Sequence, residues 1–169
     1  MVRIYMTDFI KVDERNLNNL AALASEIWHE YWPVILSSEQ IDYMVEKFQS
    51  LNAIKNQIEF ENYSYYFIKL DKECAGYFGI SKKEKYLFLS KLYIKKDFRH
   101  KGIGKQAFEK IKLIAQENNF NSIILTVNKY NANTISAYQK WGFETIDSVV
   151  TDIENGYVMD DYIMEYKFL

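Results

Sequence analysis

The sequence predicts one domain of the α/β (α+β) class: a mixed, mostly antiparallel central sheet with a parallel pair at its centre, flanked by about four helices. Three observations carry that expectation. The 169 residues include a single proline, Pro33, and no Gly/Ser-rich or low-complexity stretch, so nothing reads as a linker between units. Apolar residues recur at helical spacing near the start of the chain and then in short strand-like runs from Tyr63 onward. A strand ending at Ile94, an amphipathic helix opening at Gly102 and a strand from Ser122 form a β-α-β unit, whose strands run parallel through a right-handed crossover.

Taken in order, a short strand near Phe9 to Val12 leads into a helix marked by Leu17, Leu20, Ala21, Ala24, Ile27, Trp28 and Tyr31, which stops where Trp32 precedes Pro33. Ser37 with Gln40 has the form of a capping box, and Ile41, Met44, Val45 and Phe48 then share one helical face. The runs Tyr63 to Leu70, Cys74 to Ser81 and Tyr86 to Ile94 are aromatic or β-branched and separated by polar turns, the pattern of an antiparallel meander. From Gly102 the helical period returns, with Ile103, Ala107, Phe108, Ile111, Ile114 and Ala115 on one face. Ser122 to Val127 reads as a buried strand, Asn131 to Lys140 as a short helix, and Phe143 to Val149 with Tyr157 to Phe168 as a closing hairpin.

Composition narrows the function classes. A formal net charge of -2 and about half apolar residues suit a soluble globular chain, and a negative balance argues against nucleic acid. Lysines and arginines still cluster locally, at Lys82, Lys83 and Lys85 and again from Lys91 through Lys105, which suits a phosphorylated ligand. One cysteine, Cys74, excludes an internal disulfide and a cysteine-based zinc site; no metal is expected, and Cys74 reads as strand packing. Met1 to Ile10 alternates apolar and polar residues without the pattern of a leader or membrane anchor, so a cytoplasmic location is expected. The final strands offer an exposed edge suited to a homodimer.

Gly102 and Gly104 sit in the turn that enters the third predicted helix, behind Arg99, His100 and Lys101. Free N–H groups at a helix start, the helix dipole and close approach at glycine make such a turn an anion cradle. Two glycines alone are a generic signal, but the run Leu92-Tyr93-Ile94-Lys95-Lys96-Asp97-Phe98-Arg99-His100-Lys101-Gly102-Ile103-Gly104 resembles the central motif of the GNAT superfamily of N-acetyltransferases, Q/R-x-x-G-x-G/A after a strand. Downstream, Asn131-Ala132-Asn133-Thr134-Ile135-Ser136-Ala137-Tyr138-Gln139-Lys140-Trp141-Gly142-Phe143 resembles the second motif of that family, with Thr134 in place of the usual alanine.

The resemblance implies acetyl-CoA as co-substrate. The strand backbone at Leu92, Tyr93 and Ile94 would pair with the pantetheine arm, and the loop of Arg99, His100, Lys101, Gly102, Ile103, Gly104 and Lys105 would take the pyrophosphate. Asn131 would contact the arm. Tyr138 would stand near the sulfur as general acid, a role that a phenol with a reference pKa of about 10 can fill at neutral pH. Lys140 would hold the phosphate or adenine end, or else be a solvated helix-end lysine.

The acceptor side is less specified. Many members of the family place a glutamate on the strand before the phosphate loop, whereas Leu87-Phe88-Leu89-Ser90-Lys91 has no carboxylate. Candidates for removing the acceptor's proton are a water chain through Ser90, or Glu26, His29 or Glu30 at the end of the first helix. The acceptor pocket is expected between the loop Tyr31 to Leu36, the meander and the final hairpin, with Glu26, Glu30, Asp160 and Asp161 nearby. Such carboxylates favour a small cationic amine such as a polyamine, a peptide amine being the other possibility. The alternative to an enzyme is a non-catalytic acyl-CoA-binding sensor or interaction module.

Overall fold

The computed structural model describes residues 5–169; Met1 to Ile4, part of the stretch read for a leader or anchor, lies outside the described residues. The chain begins with β1 (Thr7–Lys11) and α1 (Leu17–Tyr31), whose buried stripe runs Leu20, Leu23, Ala24, Ile27 and Trp28. Pro33 ends α1 as expected, inside a short 3₁₀ turn at Trp32–Val34. The hydroxyl of Ser37 then accepts the Gln40 N–H at 3.2 Å and opens α2 (Ser38–Gln49). A second serine repeats the device: Ser50 accepts the Ala53 N–H at 3.2 Å and starts α3 (Leu51–Phe60), a helix beyond those the sequence periodicity marked.

The meander follows as β2 (Tyr63–Leu70), β3 (Glu73–Lys82) and β4 (Leu87–Ile94). The rest of the chain supplies α4 (Ile103–Glu117), β5 (Ser122–Asn128), α5 (Ala132–Lys140), β6 (Glu144–Asp152) and β7 (Val158–Lys167). The seven strands form one sheet in the order β1-β2-β3-β4-β5-β7-β6, antiparallel except where β4 meets β5. It is therefore β7 that pairs with β5, leaving β6 at the edge and exposed along its whole length. The residue patterns explain this choice, since β7 brings Tyr162, Met164 and Tyr166 to the core while β6 is largely polar.

Helix α4 covers one sheet face, where Ile103, Ala107, Phe108 and Ile111 pack on Phe78, Leu87, Leu89, Ile123, Leu125 and Met164. On the opposite face α1 and α3 pack Leu20, Ala24, Ile27 and Ile54 onto Tyr65 and Tyr77. That second face buries polar atoms too, and they satisfy one another: Trp28 Nε1 donates to Tyr77 Oη at 2.8 Å, Tyr77 Oη to Gln49 Oε1 at 2.6 Å and Tyr65 Oη to Gln57 Oε1 at 2.6 Å. A third group, Trp28, Trp32, Ile41, Met44 and Ile153, closes α1 and α2 over the end of the β6–β7 hairpin.

The parallel pairing that joins the two halves of the sheet is short. It comprises only Leu87 with Ile123, Phe88 with Ile124 and Leu89 with Leu125. At the same level the β3–β4 register slips, Gly79 facing Lys91 while Ile80 faces Leu89, so Ser90 is a bulge residue. Beyond it β4 keeps its β3 partner on one edge and diverges from β5 on the other. Gly76, opposite Ile94, fixes how closely β3 approaches this stretch, because a Cβ there would overlap the Tyr93 carbonyl oxygen. Gly76→Ala is expected to lower stability by about 1–3 kcal/mol, as overpacking does, with the shift read from the urea midpoint at unchanged m-value.

Candidate active site

Where β4 and β5 part, a cleft of about 1290 Å³ passes between them, from the start of α4 to the aromatic residues of α1 and α2. Its central wall is the β5-facing edge of β4 from Ser90 to Ile94, which no described strand pairs. An open strand edge bordered by a groove can take an extended chain with amide groups as it would another strand.

At one end of the cleft the chain leaves β4 and turns into α4. His100 with φ 61° and Gly102 with φ 75° adopt left-handed conformations, and the helix starts at once with no side-chain cap. The N–H groups of its first turn are thus not taken by a capping side chain, and Gly102, Ile103 and Gly104 border the cleft. Ile103 is buried, so its contribution there is its backbone. Arg99 is tied inward: its Nε donates to Ile94 O at 2.9 Å, its Nη2 lies 3.4 Å from Glu30 Oε1, and its guanidinium stacks 5.2 Å from the Tyr31 ring centre. Lys101 lies over the rings of Tyr5 and Phe98 at 5.5 Å each. Lys101, Lys105 and Lys140 fall outside the cleft lining, while His100 is exposed at its border.

Helix α5 forms the opposite jaw. Asn131, buried at its N-terminus, places its amide oxygen 3.0 Å and its amide nitrogen 2.7 Å from Tyr31 Oη. The hydroxyl of Thr134 reaches the same phenol oxygen at 2.7 Å, so the residue that departs from the motif supports the α1–α5 contact. Two turns into the helix register, Tyr138 is 7% exposed and packs edge-on against Trp141 and Phe143 at 5.5 and 5.3 Å. Burial first, and the neighbouring Tyr31 second, push its pKa upward, so the phenol keeps its proton well above neutral pH.

Beyond the open edge, on the α1–α2 face, the cleft widens into an aromatic chamber. Tyr31 and Trp32 stand edge-on to Tyr93 at 5.6 and 6.5 Å, and among the described residues no acceptor lies in hydrogen-bond geometry with the buried Trp32 indole N–H. Asp161 of β7 borders this chamber at 7% exposure. Its burial, then the charge of Asp160, raise its pKa to about 6 against the opposing pull of Lys129. Asp160 itself is paired with Lys129 at 2.6 Å. The chamber continues past the Ser90 bulge to Lys91, whose Nζ donates to Ser90 Oγ at 2.6 Å and lies 5.4 Å from the Tyr63 ring centre. Tyr63 Oη donates to the same Ser90 oxygen at 3.0 Å.

The Acetyltransferase (GNAT) family model matches residues 21–143, most of the chain and all of the cleft apart from the hairpin. The chain belongs to the GNAT family. It is an acyl-CoA-dependent N-acetyltransferase, and acetyl-CoA is the acyl donor of this family. Among curated relatives, an uncharacterized N-acetyltransferase from the pepI 3' region of Lactobacillus delbrueckii subsp. lactis is 26% identical over 141 residues, 79% of this chain and 82% of that protein. A spermidine N(1)-acetyltransferase of Thermoplasma acidophilum is 26% identical over 162 residues, 94% of this chain and 95% of that protein. In fold the chain is similar to the PaiA N-acetyltransferase of Thermoplasma acidophilum, solved in complex with coenzyme A, with a TM-score of 0.79 at 24% identity over 96% of this chain and 99% of that one.

Within this GNAT cleft the structure assembles Leu92, Tyr93, Ile94, Arg99, His100, Gly102, Ile103, Gly104, Asn131, Tyr138, Glu30 and Ser90. It does not bring Glu26 or His29 there. Glu26 Oε1 pairs with Lys95 Nζ at 3.0 Å, and Glu30, though at the cleft border, accepts the Lys96 N–H at 2.8 Å. Both carboxylates latch α1 to the segment after β4. His29 turns to α2, with Nε2 2.6 Å from Asp42 Oδ1 and Nδ1 2.7 Å from Ser25 O. Lys91 was hidden in the sequence within a run of lysines; its separate signal was the alternation of β4, which puts residues 91 and 93 on one face.

The Asp42 hydrogen bond, then the Ser25 carbonyl, raise the pKa of His29. A raised folded value means that the pair stabilises the fold fully below the unfolded histidine pKa of about 6.5 and loses this contribution as pH climbs through the folded value. Asp42→Asn should therefore lower the His29 pKa read by NMR. Its stability deficit against the parent should be largest in mild acid and fade above neutral pH, and an equal deficit at all pH values would contradict this role.

Proposed function

We propose that this GNAT enzyme acetylates the primary amine of a small cationic molecule by direct attack, with Tyr138 as the general acid. The observation that carries the reading is the open edge of β4 running from the uncapped start of α4 to the buried Tyr138 and the aromatic, carboxylate-bearing chamber. The cleft residues fit the donor in three respects. The Leu92 to Ile94 edge has backbone groups available to a pantetheine amide chain, except for the Ile94 carbonyl already held by Arg99. The first-turn N–H groups at Ile103, Gly104 and Lys105, with His100 beside them, suit a pyrophosphate. Lys101 and Lys105, which flank these groups in the chain without lining the cleft, and Lys140 at the end of α5 add positive charge outside it.

When bound, acetyl-CoA supplies an activated acetyl thioester whose leaving group is a thiolate. The chain holds the two reactants together, which supplies much of the acceleration, and N–H groups of the β4 edge polarise the carbonyl oxygen. Tyr138, kept protonated by its burial, donates its phenolic proton to the departing sulfur. Asn131 holds the Tyr31 hydroxyl, which keeps the ring of Tyr31 beside Tyr93 and the mouth of the chamber open.

For the acceptor, the rings of Tyr31, Trp32 and Tyr93 with the Asp161 carboxylate form a surface suited to an alkylammonium group. The relative described as a spermidine N(1)-acetyltransferase supports the same class. At neutral pH Asp161, with a pKa of about 6, is mostly ionised and complements the amine's remaining charge.

Tyr138→Phe should keep acetyl-CoA affinity, measured by calorimetry, and lose about 10²-fold or more of thiol release; equal turnover would remove Tyr138 from the mechanism. Across a panel of amines, Asp161→Asn should raise KM for diamines and polyamines and leave monoamines little changed. Inert putrescine and spermidine beside reactive peptides or amino acids would discard the cationic acceptor, and binding of acetyl-CoA without thiol release from any amine would favour a sensor.

A further inference from the structure

The reaction needs a group that removes a proton from the incoming ammonium, and β4 carries no carboxylate at the cleft. The geometry points to Lys91 as that group: its side chain lines the cleft from β4, and its Nζ receives the acceptor's proton. The inference rests on the amine-transfer reading above.

The surroundings of Lys91 differ from those of an ordinary strand lysine. Among the described residues no carboxylate oxygen lies within ion-pair distance of it; its only polar partner is Ser90 Oγ at 2.6 Å. That oxygen already accepts the Tyr63 hydroxyl proton, so its own hydrogen is free to point into the cleft. Across the β3–β4 pairing stands Gly79, whose missing side chain is replaced by the Tyr65 ring, and the lysine stem therefore lies among Tyr63, Tyr65 and Tyr93. The groups that face it are Glu61 at the end of α3, Tyr63 and Tyr65 of β2 and Tyr93 of β4. The phenols are kept neutral by burial, and Glu61 is the one charged neighbour among them. The other charged side chains of the chamber stand farther along it, Lys47 paired with Glu154 at 2.9 Å and Asp161 on β7. Desolvation, opposed by Glu61, lowers the Lys91 pKa to about 8, so a fraction is neutral at physiological pH and a cation arriving alongside increases it.

The proton balance closes. The acceptor ammonium gives one proton to neutral Lys91; the freed nitrogen lone pair forms the N–C bond as the C–S bond breaks; Tyr138 protonates the sulfur. The second proton of the attacking nitrogen restores the Tyr138 phenol, and Lys91 releases its proton to water. One proton leaves per acetyl group transferred.

The test compares the parent enzyme with Lys91→Arg and Lys91→Met, using putrescine, spermidine and a set of monoamines. Arginine keeps the charge and the stem but cannot accept a proton at these pH values. In the parent, kcat/KM should rise with pH through a limb near 8, since the neutral lysine is the active form. Both variants should retain acetyl-CoA affinity and a native circular dichroism spectrum and lose about 10²-fold of turnover at neutral pH, with the limb displaced toward the acceptor's own pKa near 10. Turnover of Lys91→Arg at the parent level would overturn the proposal, leaving only a need for charge. So would a parent limb near 6 that disappears in Asp161→Asn, which assigns the proton to Asp161, or a limb near 10 in all proteins, which assigns it to the solvent. A parent enzyme that binds acetyl-CoA and acetylates no amine would instead refute the amine-transfer reading and this proposal with it.

Discussion

The early end of parallel pairing between β4 and β5 governs the rest of the molecule. Three residue pairs, Leu87 to Leu89 against Ile123 to Leu125, hold the halves of the sheet together, after which β4 and β5 diverge. Continued pairing would satisfy the backbone groups from Ser90 onward and fill the cleft. An interrupted sheet leaves them to water or to a ligand, and each polar group left without a partner in a dry site costs about 1–3 kcal/mol. The interruption persists because the flanking elements are fixed independently. The slip at Ser90 redirects β4, α4 spans from β4 to β5 over a common core, and the buried Trp28, Tyr77 and Gln49 chain holds the opposite face rigid.

The same divergence explains why two helix starts converge on one groove. Both α4 and α5 follow the C-terminal ends of the separated strands, and both begin without a side-chain cap. Parallel α/β units place their ligand crevice at such a point. What distinguishes the two starts is the use of side chains: at α4 the turn is glycine and left-handed histidine, favouring backbone contact with an anion, whereas at α5 Asn131 is committed to Tyr31 and so to the shape of the chamber.

The parts of this arrangement visible in the sequence were those with a local cause. Helix and strand periods, the Ser37 cap, the proline stop and the glycine turn are each set within a few residues, and the motif around Tyr138 lies in a single helix. Helix α3 had an equally local signal in Ser50 with Leu51, Ile54 and Ile58, but it follows α2 with no intervening loop, so the two read as one polar-rich stretch. The strand order was harder, because the choice between β6 and β7 as partner of β5 depends on which one carries side chains able to pack beneath α4. Partnership was not legible at all. Nothing near Glu26 or His29 in the chain reveals that Lys95 and Asp42 neutralise them, and nothing near Lys91 reveals that no carboxylate among the described residues does the same.

That difference in pairing separates structural charge from chemical charge in and around this cleft. Glu26, Glu30, Asp160 and Lys47 each face an opposite charge within ion-pair distance and lie toward the protein surface, where such contacts chiefly orient elements. Asp161 of β7 and Lys91 of β4 both line the cleft, and burial displaces both toward neutrality, the acid upward to about 6 and the base downward to about 8. A close ion pair between them would have locked both in their charged forms. With no ion pair between them among the described residues, the carboxylate can attract a cation and the amine can take its proton, two tasks that one residue cannot perform at once.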